Sequence, residues 1–431
     1  MLSCLRGAVL AILAAAADGP DSYAVTGARI LVGTGEVIDN GVLVVDDGLI
    51  VSVGSVGGVG ERLAVPQGAW VIDASGKTVY PGFIDALGNL GLGAKPQAEV
   101  AAPRREETIA RGPEDRPGTY SFKAAADELT LSDDRVVKWR NAGFTSAVTV
   151  SDQGIFSGQA TFINLAGERE REMVVRTPVG LRVNFARPGS GRSFPGSLMG
   201  VVAYVKQAFA DAAHYRESWA AYEAAPVGKP RPTYDRTLEP LARAQSEGWP
   251  VLLPAHEAHE IERAIGLSSE LGVKPVLYGI HEGYAAAEAL SAARIPVLVS
   301  LKWPERNKDA DPDAEEPLRV LELRERAPST PGVLEKAGVR FGLYTEGVEK
   351  PEDAVANLRK AVTAGLSRER AIQALTLDAA SIFGLADRLG SLEPGKIANF
   401  FVASGDLFDE GTKIETVFVD GKKFEVRGGG E

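Results

Sequence analysis

Histidine is scarce in this 431-residue chain: only His214, His256, His259 and His281 occur. Any site built on clustered imidazoles must draw on these four. Cysteine is scarcer still. Cys4 stands alone, which excludes an internal disulfide and every multi-thiolate zinc site. A basic stripe is also missing, because 47 Lys and Arg face 58 Asp and Glu for a net charge of −11. Nucleic acid is therefore not an expected partner. No apolar run reaches membrane-span length, so the chain is not expected to be transmembrane. What is present is an ordinary apolar fraction, 45%, in a chain long enough for a large buried core.

The N-terminus joins Arg6 to ten apolar residues, 8–17, and then to Asp18-Gly19-Pro20. A short positive region, an apolar stretch and a polar break form the pattern of a cleavable secretory signal over residues 1–18. Export to the periplasm or the extracellular space follows, and the mature chain would hold no cysteine. A packed N-terminal helix is the competing reading.

Residues 23–76 read as short strands and turns. The β-branched runs 28–32, 41–45 and 49–53 are punctuated by Asn40-Gly41 and Asp47-Gly48, both with hairpin chemistry. The glycine-rich stretch 54–60 lacks the strand–loop–helix context of a dinucleotide loop. From Val79 to about Gly390, apolar runs alternate with helical segments. The runs are 144–150, 174–185, 251–255, 275–280, 295–301 and 340–344, and the helices are 199–225, 259–271, 284–293, 352–364 and 368–383. That alternation over about 300 residues predicts a (β/α)8 TIM barrel. Residues 93–127 read as an exposed flap. The end of the chain returns to strand-and-turn texture with Asp420-Gly421. The expected organisation is a barrel over 81–390 and a small β-sandwich assembled from 19–80 and 391–431.

Three segments carry a family resemblance: Val71 to Ala86, with Tyr80-Pro81-Gly82-Phe83-Ile84-Asp85; Ala374 to Lys396, with Leu392-Glu393-Pro394-Gly395-Lys396; and Val417-Phe418-Val419-Asp420-Gly421. Together they resemble the amidohydrolase superfamily, in its imidazolonepropionase-like and prolidase-like branch. The resemblance covers roughly residues 23–425 and rests on scaffold motifs, which imply the fold and carry no chemistry by themselves. It implies a hydrolase of carbon–nitrogen bonds with one or two divalent metals at the C-terminal mouth of the barrel. The implied ligands are His-x-His after strand one, histidines on strands five and six, and an aspartate on strand eight.

This chain departs from that pattern position by position. Leu87-Gly88-Asn89 stands where His-x-His is implied, Pro254 where the strand-five histidine is implied, and Gly279 where the strand-six histidine is implied. Glu346 replaces the strand-eight aspartate and keeps a carboxylate, which makes it the candidate base. Leucine offers no donor, and an asparagine carbonyl is a poor zinc ligand. No cofactor is therefore expected. A rebuilt site for a single zinc, manganese or iron ion, using His256, His281 and Glu346, stays open.

Other pocket candidates are Asp85, Asn89, Lys302 just past strand seven, and Gln159. Gln159 lies in the loop-like segment 154–159 beside Ser157, and either binds a ligand or closes a turn. His256 and His259 read as surface residues beside carboxylates or as a ligand pair, and His214 reads as structural. Asp309 to Glu316 lacks the glycine of a calcium loop and reads as a solvated acidic turn. Two functions remain open. One is an exported amidohydrolase-like pseudoenzyme that binds a small-molecule ligand, or pairs as a homodimer or with an active relative. The other is a hydrolase of cyclic-amide or dipeptide-like C–N bonds with a reduced metal site.

Overall fold

The computed structural model describes residues 22–55, 68–93, 110–186, 193–307, 309, 311 and 313–426. The expected secretory signal and residues 94–109 of the expected flap lie outside the described residues.

Five strands come first: β1 (Ser22–Leu31), β2 (Val37–Asp46), β3 (Leu49–Ser55), β4 (Trp70–Asp73) and β5 (Thr78–Pro81). Asp47-Gly48 forms the expected tight turn, with both φ angles positive (46° and 76°). Asn40-Gly41 does not. It lies inside β2, where Asn40 at φ 51° makes a bulge against β1. A side chain at Gly41 would press to 2.5 Å from Ile30 Cδ1, so the pair serves close strand approach rather than chain reversal.

Eight strands then form a second sheet, in the spatial order β6 to β13: β6 (Phe83–Gly88), β7 (Phe144–Thr149), β8 (Phe156–Asn164), β9 (Val174–Val183), β10 (Pro250–Ala255), β11 (Lys274–Gly279), β12 (Val297–Ser300) and β13 (Phe341–Tyr344). The sheet is nearly closed. Thr345, just past β13, donates from its backbone to Asp85 of β6, and Gly342 faces Ala86 across the same gap. Isoleucine, valine and leucine fill the interior (Ile84, Val148, Leu252, Val276, Leu298), while a larger apolar layer packs the outer face against helices.

The sheet differs from a regular (β/α)8 barrel at its third strand. β8 runs antiparallel to both β7 and β9. The connections around it, 150–155 and 165–173, are too short for the crossover that a parallel neighbour requires. The segment 154–159, expected as a loop, thus leads into and begins a nine-residue strand. The expected helices at 199–225, 259–271, 284–293 and 352–364 form within a residue or so of those bounds, and 368–383 is broken into Arg368–Ala374 and Leu377–Ile382. Glu257 and Glu260 make a reciprocal capping box that starts the helix Ala258–Leu271, and Gly272 at φ 61° ends it.

The chain returns to the first sheet with β14 (Phe400–Ala403), β15 (Ile414–Val419) and β16 (Lys422–Glu425). β14 pairs with β5, so both ends of the chain build one eight-stranded sheet. Its seam with the barrel holds a buried polar network. The Asn399 amide donates to Asn164 Oδ1 (2.9 Å) and Ser146 Oγ (3.1 Å), Asn164 donates to Asp420 (2.7 Å), and the Asp420 backbone donates back to Asn399 (2.8 Å). Among the described residues, no helix is long and apolar enough to cross a membrane.

Candidate functional site

The C-terminal strand ends converge around an ion pair. Arg182, on β9, puts Nη1 and Nη2 each 2.7 Å from an oxygen of Glu346, just past β13. The Arg182 side chain is 4% exposed and that of Glu346 25%. Burial opposes the guanidinium charge, but Tyr278 and the Glu346 carboxylate outweigh it and hold the pKa above the usual range. The guanidinium also lies over the Tyr278 ring, 5.1 Å from its centre. The Tyr278 hydroxyl bonds the Val183 carbonyl (3.0 Å) and the Asn184 side chain. Tyr344 is buried in the same interior cluster, and burial raises the pKa of both phenols.

Asp85 lies 1% exposed, and both its oxygens accept from Thr345: from the backbone N–H at 2.8 Å and from the hydroxyl at 2.7 Å. Burial pushes its pKa up to about 7, against these hydrogen bonds and with a smaller contribution from Glu346. Asp85 therefore ties the first barrel strand to the last.

The other sequence-predicted positions divide. Leu87 is fully buried among interior apolar residues. Asn89 has its side-chain oxygen committed to Arg135 Nη1 (2.8 Å) and its backbone carbonyl to Arg135 Nη2 (3.0 Å). Pro254 lies within β10 and offers no donor. On β11 it is Tyr278 that joins the interior cluster, while Gly279, at φ 106°, lies under the His256 ring. Gln159 donates to the Ser121 carbonyl (3.0 Å) and pairs with Leu181, whose side chain packs outside the barrel. Lys302 is exposed at the rim, and its carbonyl bonds His281 Nε2 (3.1 Å).

His256 and His281 come together, with ring centres 5.5 Å apart. Burial lowers the His281 pKa to about 4, and His256 adds to the effect, so the ring is neutral at pH 7. His259 is exposed beside Glu257 (3.3 Å), and His214 is exposed on the helix Leu198–Ala224. In the acidic turn, Glu316 is held by Arg324.

The residues at the implied metal position do not fit a divalent ion. The one carboxylate among the implied ligand positions, Glu346, is already neutralised by a guanidinium on both oxygens, and Leu87 and Pro254 at the other positions offer no ligand atom in their side chains. Among the described residues, no three of His, Cys, Asp and Glu converge to hold a metal.

Sequence reasoning missed Arg182, Tyr278 and Thr345. The signal for Arg182 was legible: a lone charge inside the apolar run Val179-Gly180-Leu181-Arg182-Val183 requires a buried partner.

Residues 287–429 match the amidohydrolase family. Among solved structures, the chain is similar to an amidohydrolase from Thermotoga maritima MSB8, with 26% identity and a TM-score of 0.77. That likeness covers 94% of this chain and 100% of that one. A Xaa-Pro dipeptidase with methionine in its active site shares the fold at 17% identity and a TM-score of 0.56, over 94% and 100% of the two chains. Phenylurea hydrolase B does so at 18% and 0.51, over 94% and 96%. No curated protein matches the chain. The family match and the T. maritima likeness support the amidohydrolase superfamily, on a mixed α/β fold with a nearly closed eight-stranded barrel sheet.

Proposed function

We propose that this chain is an exported amidohydrolase-like protein whose barrel mouth has exchanged the metal-hydrolase site for a fixed ion pair. It binds a small molecule there, or acts through a partner that is a second copy or an active relative. The family match supports a protein of the C–N hydrolase kind. The observation that carries the loss of metal chemistry is the bidentate Arg182–Glu346 contact. A carboxylate whose two oxygens each accept from a buried guanidinium is held as an ion pair and is a weaker base for it, and the positive charge repels a second cation. The apolar segment 8–17 supports export.

The test is turnover of cyclic-amide and dipeptide-like substrates, with and without added zinc or manganese, alongside metal analysis of protein purified without chelator. Metal below about 0.1 per chain and no metal-stimulated turnover are expected. Metal-dependent turnover that disappears in Glu346→Gln overturns the reading. It would establish instead a hydrolase using Glu346 as base, the reading that the family match also supports. N-terminal sequencing of the mature protein after cell fractionation tests export.

A further inference from the structure

We infer that a cavity between the first sheet and the helix Arg368–Ala374, at the far end of the barrel from the Arg182–Glu346 pair, binds a small zwitterion, an α-amino acid with an apolar side chain.

The strands fix the place. β5 ends at Pro81 and β6 begins at Phe83, so the cavity adjoins the N-terminal ends of the barrel strands rather than the mouth. β1 and β5 form its floor. Arg29 pairs with Thr78 in parallel register, which sets Arg29, Leu31, Thr78 and Tyr80 on one face of the sheet. Ile30 and Val79 enter the apolar core on the other face. The cavity measures about 180 Å³. One of about 150 Å³ takes a benzene-sized molecule, so the occupant here is of that order of size.

The floor presents donors without acceptors. Tyr80 is 2% exposed, and its hydroxyl oxygen accepts from the Leu407 N–H at 3.0 Å. Burial pushes its pKa up to about 12, so the phenol keeps its proton. That proton has no acceptor among the described residues. The Thr78 hydroxyl, also buried, has no partner among them either. An unpaired buried donor is costly, and a ligand oxygen removes the cost. Beside them the Arg29 guanidinium reaches only the exposed Asp39, at 3.7 Å. Two hydroxyls and a guanidinium suit a carboxylate.

The segment after β1 and the helix present the opposite charge. Gly35 stands at φ 102°, and a Cβ there would lie 2.6 Å from Glu369 Oε1, so glycine lets that carboxylate rest beside Glu36. Glu369 accepts only from Gln373, at 3.2 Å, and the Glu36 side chain has no partner among the described residues. The third acid, Asp406, is already paired with Arg368 at 2.8 Å. A plain anion would meet Glu36 and Glu369, and a plain cation would leave the floor donors unpaired. A carboxylate and an ammonium on one small molecule satisfy both sets, with Leu31, Ile372 and Phe408 as the apolar wall.

Titration calorimetry of the full chain with L-leucine, L-valine and L-methionine, each alone, tests the site. Saturable binding of one molecule per chain is expected for at least one of them. For leucine, 4-methylpentanoate (no amino group) and 3-methylbutylamine (no carboxylate) should bind about tenfold or more weakly. Tyr80→Phe and Arg29→Gln should each weaken the amino acid by a similar factor, and Arg29, at an exposed position, keeps the test valid if the Tyr80 variant folds poorly. Glu346→Gln should leave the affinity unchanged. No binding of any of the three amino acids overturns the site, as does equal binding of 4-methylpentanoate and leucine. Affinity that falls in Glu346→Gln and holds in Arg29→Gln places the amino acid at the barrel mouth, which overturns this inference and leaves the proposed function standing.

Discussion

Arg182 and Glu346 stand 164 residues apart in sequence and meet in a two-bond contact that spans the barrel mouth. Their burial is unequal, at 4% and 25% side-chain exposure. Removing one member of a buried pair costs more when the member left behind has no water to turn to. Glu346→Leu, which strands the buried guanidinium, should therefore lower stability by about 3 kcal/mol or more. Arg182→Met leaves a carboxylate that water still reaches, and should cost less. The double variant should recover most of the loss. Urea unfolding of the four proteins checks the order, and equal losses in the two single variants would contradict it.

Asp85 gives the barrel a pH dependence of definite sign. Its folded pKa of about 7 lies above the ordinary aspartate value of 3.8. The folded state therefore holds a proton that the unfolded chain has released between those two values, and stability from this group falls as pH rises from about 4 to about 7. The raised pKa corresponds to at most about 4 kcal/mol across the window. Asp85→Asn keeps the shape and cannot ionise, so its midpoint denaturant concentration should be flatter over that range. Parallel pH profiles for parent and variant would contradict the assignment.

Helices and most barrel strands were legible because their apolar runs are bounded by caps and turns that act locally. The third strand was not. Phe156 to Asn164 starts two residues after Gly154 and carries Ser-Gly-Gln directly after its first residue, a polar stretch that mimics a loop, and only its pairing with β7 and β9 makes it a strand. Asn40-Gly41 misleads for a related reason, since positive φ at Asn40 serves a bulge as well as a turn. At the site, the sequence pointed to Glu346 and to the pairing of His256 with His281, because the strand ends fix their places. Arg182 escaped notice because its role depends on a partner from the opposite end of the barrel domain. Asn89 was seen as a weak ligand, but only the fold shows its oxygen turned to Arg135.

Gly279 should tolerate little change. Alanine there would strain a backbone at φ 106° and place its methyl 2.6 Å from the His256 ring and 3.1 Å from the Ala255 carbonyl. The ring can swing into solvent, whereas the carbonyl and the φ angle cannot relax as cheaply. Gly279→Ala should cost about 1–3 kcal/mol, with the backbone strain dominating. It should also shift the His256 ring resonances in NMR, leaving those of His214 in place. A variant of unchanged stability with unmoved His256 resonances would show that the ring does not rest in this cradle.

The polar seam between the two sheets makes a final prediction. Asn399 is 6% exposed, Asn164 1% and Ser146 fully buried, so no water replaces a lost partner. Asn399→Ala removes two donated bonds and leaves the Asp420 N–H without its acceptor. Each stranded buried group costs about 1–3 kcal/mol, so the variant should lose about 2–4 kcal/mol. Asn399→Asp should be worse at pH 7, because it sets a second carboxyl beside Asp420, whose own pKa burial already raises. Because this network bonds Asn399, the residue just before β14, to β7 and β8, the loss should appear as a lower melting temperature for the whole chain, measured by calorimetry. A melting temperature unchanged from the parent would mean that packing of the apolar residues around the seam, and not its amides, joins the two sheets.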